Sequence, residues 1–117
     1  MTVDDYNAFC KGLPATNYVN QWGGAHVWKI GPKMFVAAWD DAAGLQVTFK
    51  ATEMGYEIMR DMPGLRPAPY MASRGMKWIQ HYAVPGLSDD DLRAHIKASY
   101  DMVVPKLTRA QRADLGL

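Results

Sequence analysis

The sequence predicts an α+β two-layer sandwich: a mainly antiparallel sheet of about five strands with three helices on one face, in the order α-β-β-β-β-α-β-α. Three observations carry this expectation. Residues 16–50 alternate with period two and are broken by glycine-containing, hairpin-length turns. Three other stretches repeat apolar residues at three- and four-residue spacing behind a Thr or Ser. At 117 residues, with no internal repeat, the chain is expected to be one domain, 1–117.

Taken in order, Thr2 with Asp5 reads as a helix start, and Tyr6, Phe9, Cys10 and Leu13 share one helical face. Gly12 and Pro14 end it. Thr16 to Trp22 alternates weakly, and Gly23-Gly24 breaks it. His26-Val-Trp-Lys-Ile30 and Lys33-Met-Phe-Val-Ala-Ala-Trp39 read as strands joined by a Gly31-Pro32 turn. Asp40–Gly44 is a longer hairpin loop, and Leu45, Val47 and Phe49 mark the buried face of a fourth strand.

Thr52 caps the second helix, on which Met54, Ile58 and Met62 stack at four-residue steps with Glu53 and Glu57 exposed. The segment Pro63-Gly-Leu-Arg-Pro-Ala-Pro-Tyr70 then leads into Met71–Lys77 as a long connection, which its three prolines hold in shape. Met76 to Tyr82 is the fifth strand. Ser88 with Asp91 opens the longest helix, with Leu92, Ile96, Tyr100, Val103 and Leu107 as its buried stripe. Asp89, Arg93, Lys97 and Asp101 form an exposed ladder of alternating charge. Pro105 interrupts this helix, and Thr108 with Gln111 can recap a short terminal one.

Thirteen basic and twelve acidic side chains leave a net charge of +1, so no global field steers the chain toward nucleic acid or membrane. An apolar content of 49% is that of a globular protein, and no apolar run is long enough for a membrane helix. A single cysteine and an acidic N-terminus without an apolar run point to a reducing, cytoplasmic setting and to no secretory signal.

Catalytic motifs are sparse. His26, His81 and His95 lie on different elements without zinc-ligand spacing, so no metal is expected. Cys10 falls on the apolar face of the first helix and reads as a buried thiol. Asp89, Asp90 and Asp91 sit where a helix start favours acids. Gly23-Gly24 has neither Walker nor dinucleotide spacing, and no cofactor is expected.

The distribution of charge says more than its sum. Residues 15–39 hold Lys29 and Lys33 and no acid; residues 62–88 hold Arg66, Arg74 and Lys77 and no acid. Trp22, Trp28, Trp39, Trp78, His26 and His81 lie in the same two stretches. In a two-layer sandwich the strand-and-loop side is then electropositive. Cations among aromatics suit phosphates with stacked bases, and they suit a pocket for a small planar or anionic ligand equally well. Lysines on a wet sheet face over a tryptophan core would leave the same pattern.

The chain resembles the MmcQ/YjbR family across almost its full length. The match rests on Trp22-Gly23, His26-Val-Trp-Lys-Ile-Gly31, Lys33-Met-Phe35, the Pro63–Tyr70 segment, Trp78, Ser99-Tyr100 and Val103. The resemblance implies a small α/β domain similar in fold to frataxin and to type III secretion chaperones, with a double-wing DNA-binding architecture. Its wings would be the hairpins at Gly31-Pro32 and Asp40–Gly44, and its positive positions Lys29, Lys33, Arg66, Arg74 and Lys77. Frataxin-like iron binding is not expected, because the first helix offers only Asp4 and Asp5.

The expectation is therefore a non-enzymatic binding domain, monomeric or homodimeric, that contacts double-stranded DNA through its hairpins and proline-rich segment. Arg66 and Arg74 would clamp phosphates, with Lys29, Lys33 and Lys77 as counter-charge. Tyr70 and Trp22 would offer a stacking face, with His26 beside them. The alternatives are a protein that binds a planar or anionic small molecule and a chaperone-like protein-interaction domain.

Overall fold

A computed structural model describes residues 1–69, 71 and 74–117 of the chain. Helix α1 (Val3–Lys11) opens behind Thr2, whose side chain accepts from the Asp5 N–H while the Asp5 carboxylate accepts from the Thr2 N–H. This reciprocal cap satisfies two donors that a helix start leaves unpaired. Four strands follow: β1 (Thr16–Gln21), β2 (Ala25–Ile30), β3 (Lys33–Asp41) and β4 (Gly44–Lys50). Next come α2 (Glu53–Met59), β5 (Leu65–Pro67), β6 (Trp78–His81) and α3 (Asp89–Val103). A 3-10 turn at Val104–Lys106 leads to α4 (Arg109–Leu115).

The six strands form one antiparallel sheet in the order β1-β2-β3-β4-β6-β5, and helices pack on one face of it. The α+β sandwich therefore stands, with one strand and one helix more than the sequence reading counted. The added strand is Leu65–Pro67, the start of the proline-rich segment. It pairs with β6 at the sheet edge, where a proline that cannot donate a ladder bond is tolerated. The helix beyond the count of three is α4, the short terminal helix that Thr108 and Gln111 allow, and the two residues cap it.

The core lies between the sheet and the helices. Tyr6 and Cys10 of α1 and Leu92, Ile96, Tyr100 and Val103 of α3 meet Trp28, Ile30, Val36, Val47 and Phe49 of the sheet. Between β2 and β3 the register slips: Trp28 opposes Val36, whereas Lys29 opposes Met34. Phe35 is thus the extra residue of a β-bulge. Phe35 and Val36 both belong to the helix-side core, while Met34 packs with Ala25, Val27, Ala37 and Trp39 on the other face. The Phe35 ring stands edge-on to Tyr100, with centroids 5.4 Å apart at 89°.

Ser99 of α3 joins this bulge to the end of β4. Its hydroxyl donates to the Phe35 carbonyl at 2.6 Å and accepts from the Lys50 N–H at 2.9 Å. The β3–β4 ladder ends at Val36 opposite Phe49, so the hydroxyl stands where the next rung would lie. Tyr100 in turn donates to the Pro14 carbonyl at 2.6 Å and ties α3 to the α1–β1 connection.

Two expectations need correction. The second helix does not bury Met54 and Ile58, which are 75% and 62% exposed; its inward face is Tyr56 and Met59, three residues apart. Helix α2 has only seven residues, and the aromatic ring fixes its inward side. The charge ladder on α3 is also rearranged. Lys97 pairs with Asp101 at 2.7 Å, but Arg93 reaches Asp90, and Asp89 instead binds the terminal ammonium of Met1 at 3.1 Å. No helix in the described residues is long and apolar enough to cross a membrane.

Candidate ligand cleft on the open sheet face

Strand alternation fixes which side chains reach the helix-free face. Following the pairing across the sheet, Val19, Val27, Ala37, Thr48, Gln80 and Arg66 form one continuous row, one residue per strand. Valine and alanine at one end leave space, and Met34 and Trp39 lie over them. At the other end Thr48 and Gln80 are 2% and 4% exposed, unusual for uncharged polar residues on a face without helices. They are satisfied by a short relay. Arg66 donates through Nε and Nη2 to Gln80 Oε1 at 2.9 and 2.7 Å, and Gln80 Nε2 donates to Thr48 Oγ1 at 3.2 Å. The Arg66 guanidinium also lies 4.2 Å from the Tyr82 ring centroid, a cation–π contact that helps fix its plane.

Above this row is a cleft of about 820 Å³. Its strand-borne surface includes Lys29, Met34, Trp39, Gln46, Thr48, Gln80 and Arg66; Pro69, Met71, Arg74 and Met76 of the β5–β6 connection form the opposite wall. Trp22 closes one end. Its ring stacks on Trp39 with centroids 6.4 Å apart at 19°. Trp22 is 56% exposed and its backbone is left-handed, with φ 55°, just after β1. A bulky residue in that region costs about 1–3 kcal/mol, a strain often found at functional sites.

Three cations line the cleft, from β2, β5 and the β5–β6 connection: Lys29, Arg66 and Arg74. Among the described residues no carboxylate lines it, and none of these cations forms an ion pair. The arrangement offers positive charge, a tryptophan stack and methionine thioethers around a polar floor.

Of the residues singled out from sequence, Trp22, Lys29, Arg66 and Arg74 converge here. The others do not. His26 has its Nδ1 2.7 Å from the Tyr18 hydroxyl, and its ring is tilted against Tyr18. Lys77 lies 4.8 Å from the Tyr56 ring centroid, against α2. Lys33 lines a second, smaller concavity. Tyr70 lies outside the described residues. Trp39 figures in the sequence only among the tryptophans of the acid-free stretches, and Gln46, Thr48 and Gln80 escape sequence reasoning as site residues. The signal for these three is alternation with the core residues Val47, Phe49 and Ile79, which points them to the opposite face.

The reactive side chains lie elsewhere. Cys10 is buried beneath α1, and burial pushes its thiol up to about 12, so it stays protonated and inert at neutral pH. Burial lowers the His81 and His95 imidazoles below their ordinary value. No cluster of three His, Cys, Asp or Glu suited to a metal occurs among the described residues.

Comparison with known proteins gives the same frame. The YjbR family model matches residues 11–102. Among solved structures, the Deinococcus radiodurans protein DR2400, which carries the family-model domain DUF419, superposes with a TM-score of 0.84 at 23% identity. That superposition covers 99% of this chain and 88% of the other. No curated protein matches. With a family match spanning most of its length and the sheet-and-helix architecture described above, the chain belongs to the YjbR (MmcQ/YjbR) family.

Proposed function

We propose that this protein is a non-enzymatic binding domain for a small planar anion, held in the cleft on the open face of its sheet. The observation that carries the reading is the convergence of Lys29, Arg66 and Arg74 with the Trp22–Trp39 stack around one concavity. Its volume of about 820 Å³ falls within the range of small-molecule sites. The two tryptophans supply a flat apolar surface, and the cations supply charge-assisted hydrogen bonds. Arg66 is oriented by Gln80, so its fork is held before a ligand arrives. The side chains lining the cleft offer cations, amides, a hydroxyl and thioethers, a set suited to recognition.

The test uses flavin mononucleotide and riboflavin, which share a ring system and differ by a phosphate. Quenching of tryptophan fluorescence by the mononucleotide at micromolar concentration, but not by riboflavin, is the expected result. Equal quenching by both, or none, would overturn the reading. Duplex DNA, the partner that the family resemblance implies, forms a separate arm. Its support is Lys33 and Lys77, cations outside the cleft; against it, exposed Asp40 and Asp41 end β3 at the tip of the second hairpin. Micromolar binding that weakens steeply between about 50 and 200 mM salt would favour DNA.

A further inference from the structure

Next to the cleft lies a second concavity of about 370 Å³, formed where β3 begins, where β4 ends, and where the 3-10 turn follows α3. Each of these elements contributes one lysine: Lys33, Lys50 and Lys106. Trp78 and Val103 form its apolar part, and both are buried. Among the described residues no acid lines it, and none of the three lysines forms an ion pair. Three like charges from three separate elements thus lie on one rim.

The two concavities are neighbours. Met34 and Met76 line both, so one thioether from β3 and one from the β5–β6 connection form the ridge between them. The larger space has the aromatic stack and arginines; the smaller has lysines, which suit phosphate as compact point charges.

We infer that Lys33, Lys50 and Lys106 form a phosphate subsite continuous with the cleft, so that the protein's ligand is an aromatic polyphosphate of the nucleoside di- or triphosphate class. Its planar head would lie in the cleft, and its phosphate chain would cross the Met34–Met76 ridge to the lysines. This inference rests on the proposed use of the cleft for a planar anion, and it adds the class of that anion and a second point of attachment.

Affinities for AMP and ATP are measured with EDTA present, so that no divalent cation masks the phosphates, alongside the flavin mononucleotide titration. ATP is expected to bind roughly tenfold or more tightly than AMP, since hydrogen bonds to charged groups are the stronger ones. The variant K33Q/K106Q, which alters only exposed side chains, should remove most of the advantage of ATP over AMP. Adding K50Q should remove the rest. If ATP and AMP bind equally, or neither binds while flavin mononucleotide does, the polyphosphate subsite is overturned and the planar-anion reading stands. Preference for ATP that survives the lysine substitutions also overturns it. If flavin mononucleotide, AMP and ATP all fail, both readings fall.

Discussion

Replacing Ser99 by alanine tests how α3 is fastened to the sheet. The hydroxyl is fully buried and serves two backbone groups, the Phe35 carbonyl and the Lys50 N–H. Alanine leaves both without that partner. A buried backbone group left unsatisfied costs about 1–3 kcal/mol, and direct approach of the two strands could recover part of this, so the net loss should be about 2–4 kcal/mol. Unfolding entropy near 2.1 cal/mol/K per residue converts this, for a chain of 117 residues, into a fall in Tm of about 8–16 °C. The assay is urea unfolding followed by far-UV circular dichroism, with a thermal melt beside it. Ser88→Ala, which removes one exposed cap bond, provides a scale of about 1 kcal/mol. A loss below about 1 kcal/mol for Ser99→Ala, with an unchanged denaturant slope, would refute the claim that this hydroxyl replaces a ladder rung.

Two other perturbations separate stability from binding. Trp22→Gly releases a left-handed backbone while removing one ring of the stack, so the melting temperature should hold or rise while flavin mononucleotide quenching through Trp39 is lost; a clear fall in Tm would mean that Trp22 is structural. For His81 and His95 burial lowers the folded-state value below the unfolded one, so the unfolded chain binds more protons below about pH 6.5. Stability should therefore be full above that pH and decline as pH falls through the lowered values; urea midpoints that do not drop between pH 7.5 and pH 5 would contradict the assignment.

Much of the fold was legible because local signals agreed with one another. Thr2, Ser88 and Thr108 are short polar residues before helical periodicity, and each accepts the cap bond its position suggests. Glycine turns and alternation marked β2 to β4 for the same reason. Strand β5 was hidden because three residues containing an arginine and a proline carry no pattern; their pairing partner, β6, makes them a strand. The inward face of α2 was misread because four-residue steps through Met54 and Ile58 looked apolar, while Tyr56 docks against the core.

The site was half legible. Acid-free stretches identify the cations, and acidity is a property of composition. Which cations meet is a property of strand order and register. Lys29 and Lys33 are four residues apart, yet they line different concavities: across the Gly31-Pro32 turn Lys29 pairs with Met34, whereas Lys33 pairs with Ile30 at the start of β3. Gln80 and Arg66 are fourteen apart and become neighbours only through β5–β6 pairing.

The bulge at Phe35 acts as a phase switch for everything that precedes it on β3. With strict alternation back from Val36, Met34 would turn into the helix-side core and Phe35 would face the cleft. One additional backbone unit reverses that assignment, giving the cleft a pliable thioether on the wall it shares with the lysine concavity. The shape of that wall is thus encoded by residue count as much as by residue type. A one-residue insertion or deletion near the Gly31-Pro32 turn would remodel the ligand space without changing any side chain's chemistry, a route by which related chains could diverge in what they hold while keeping the same architecture.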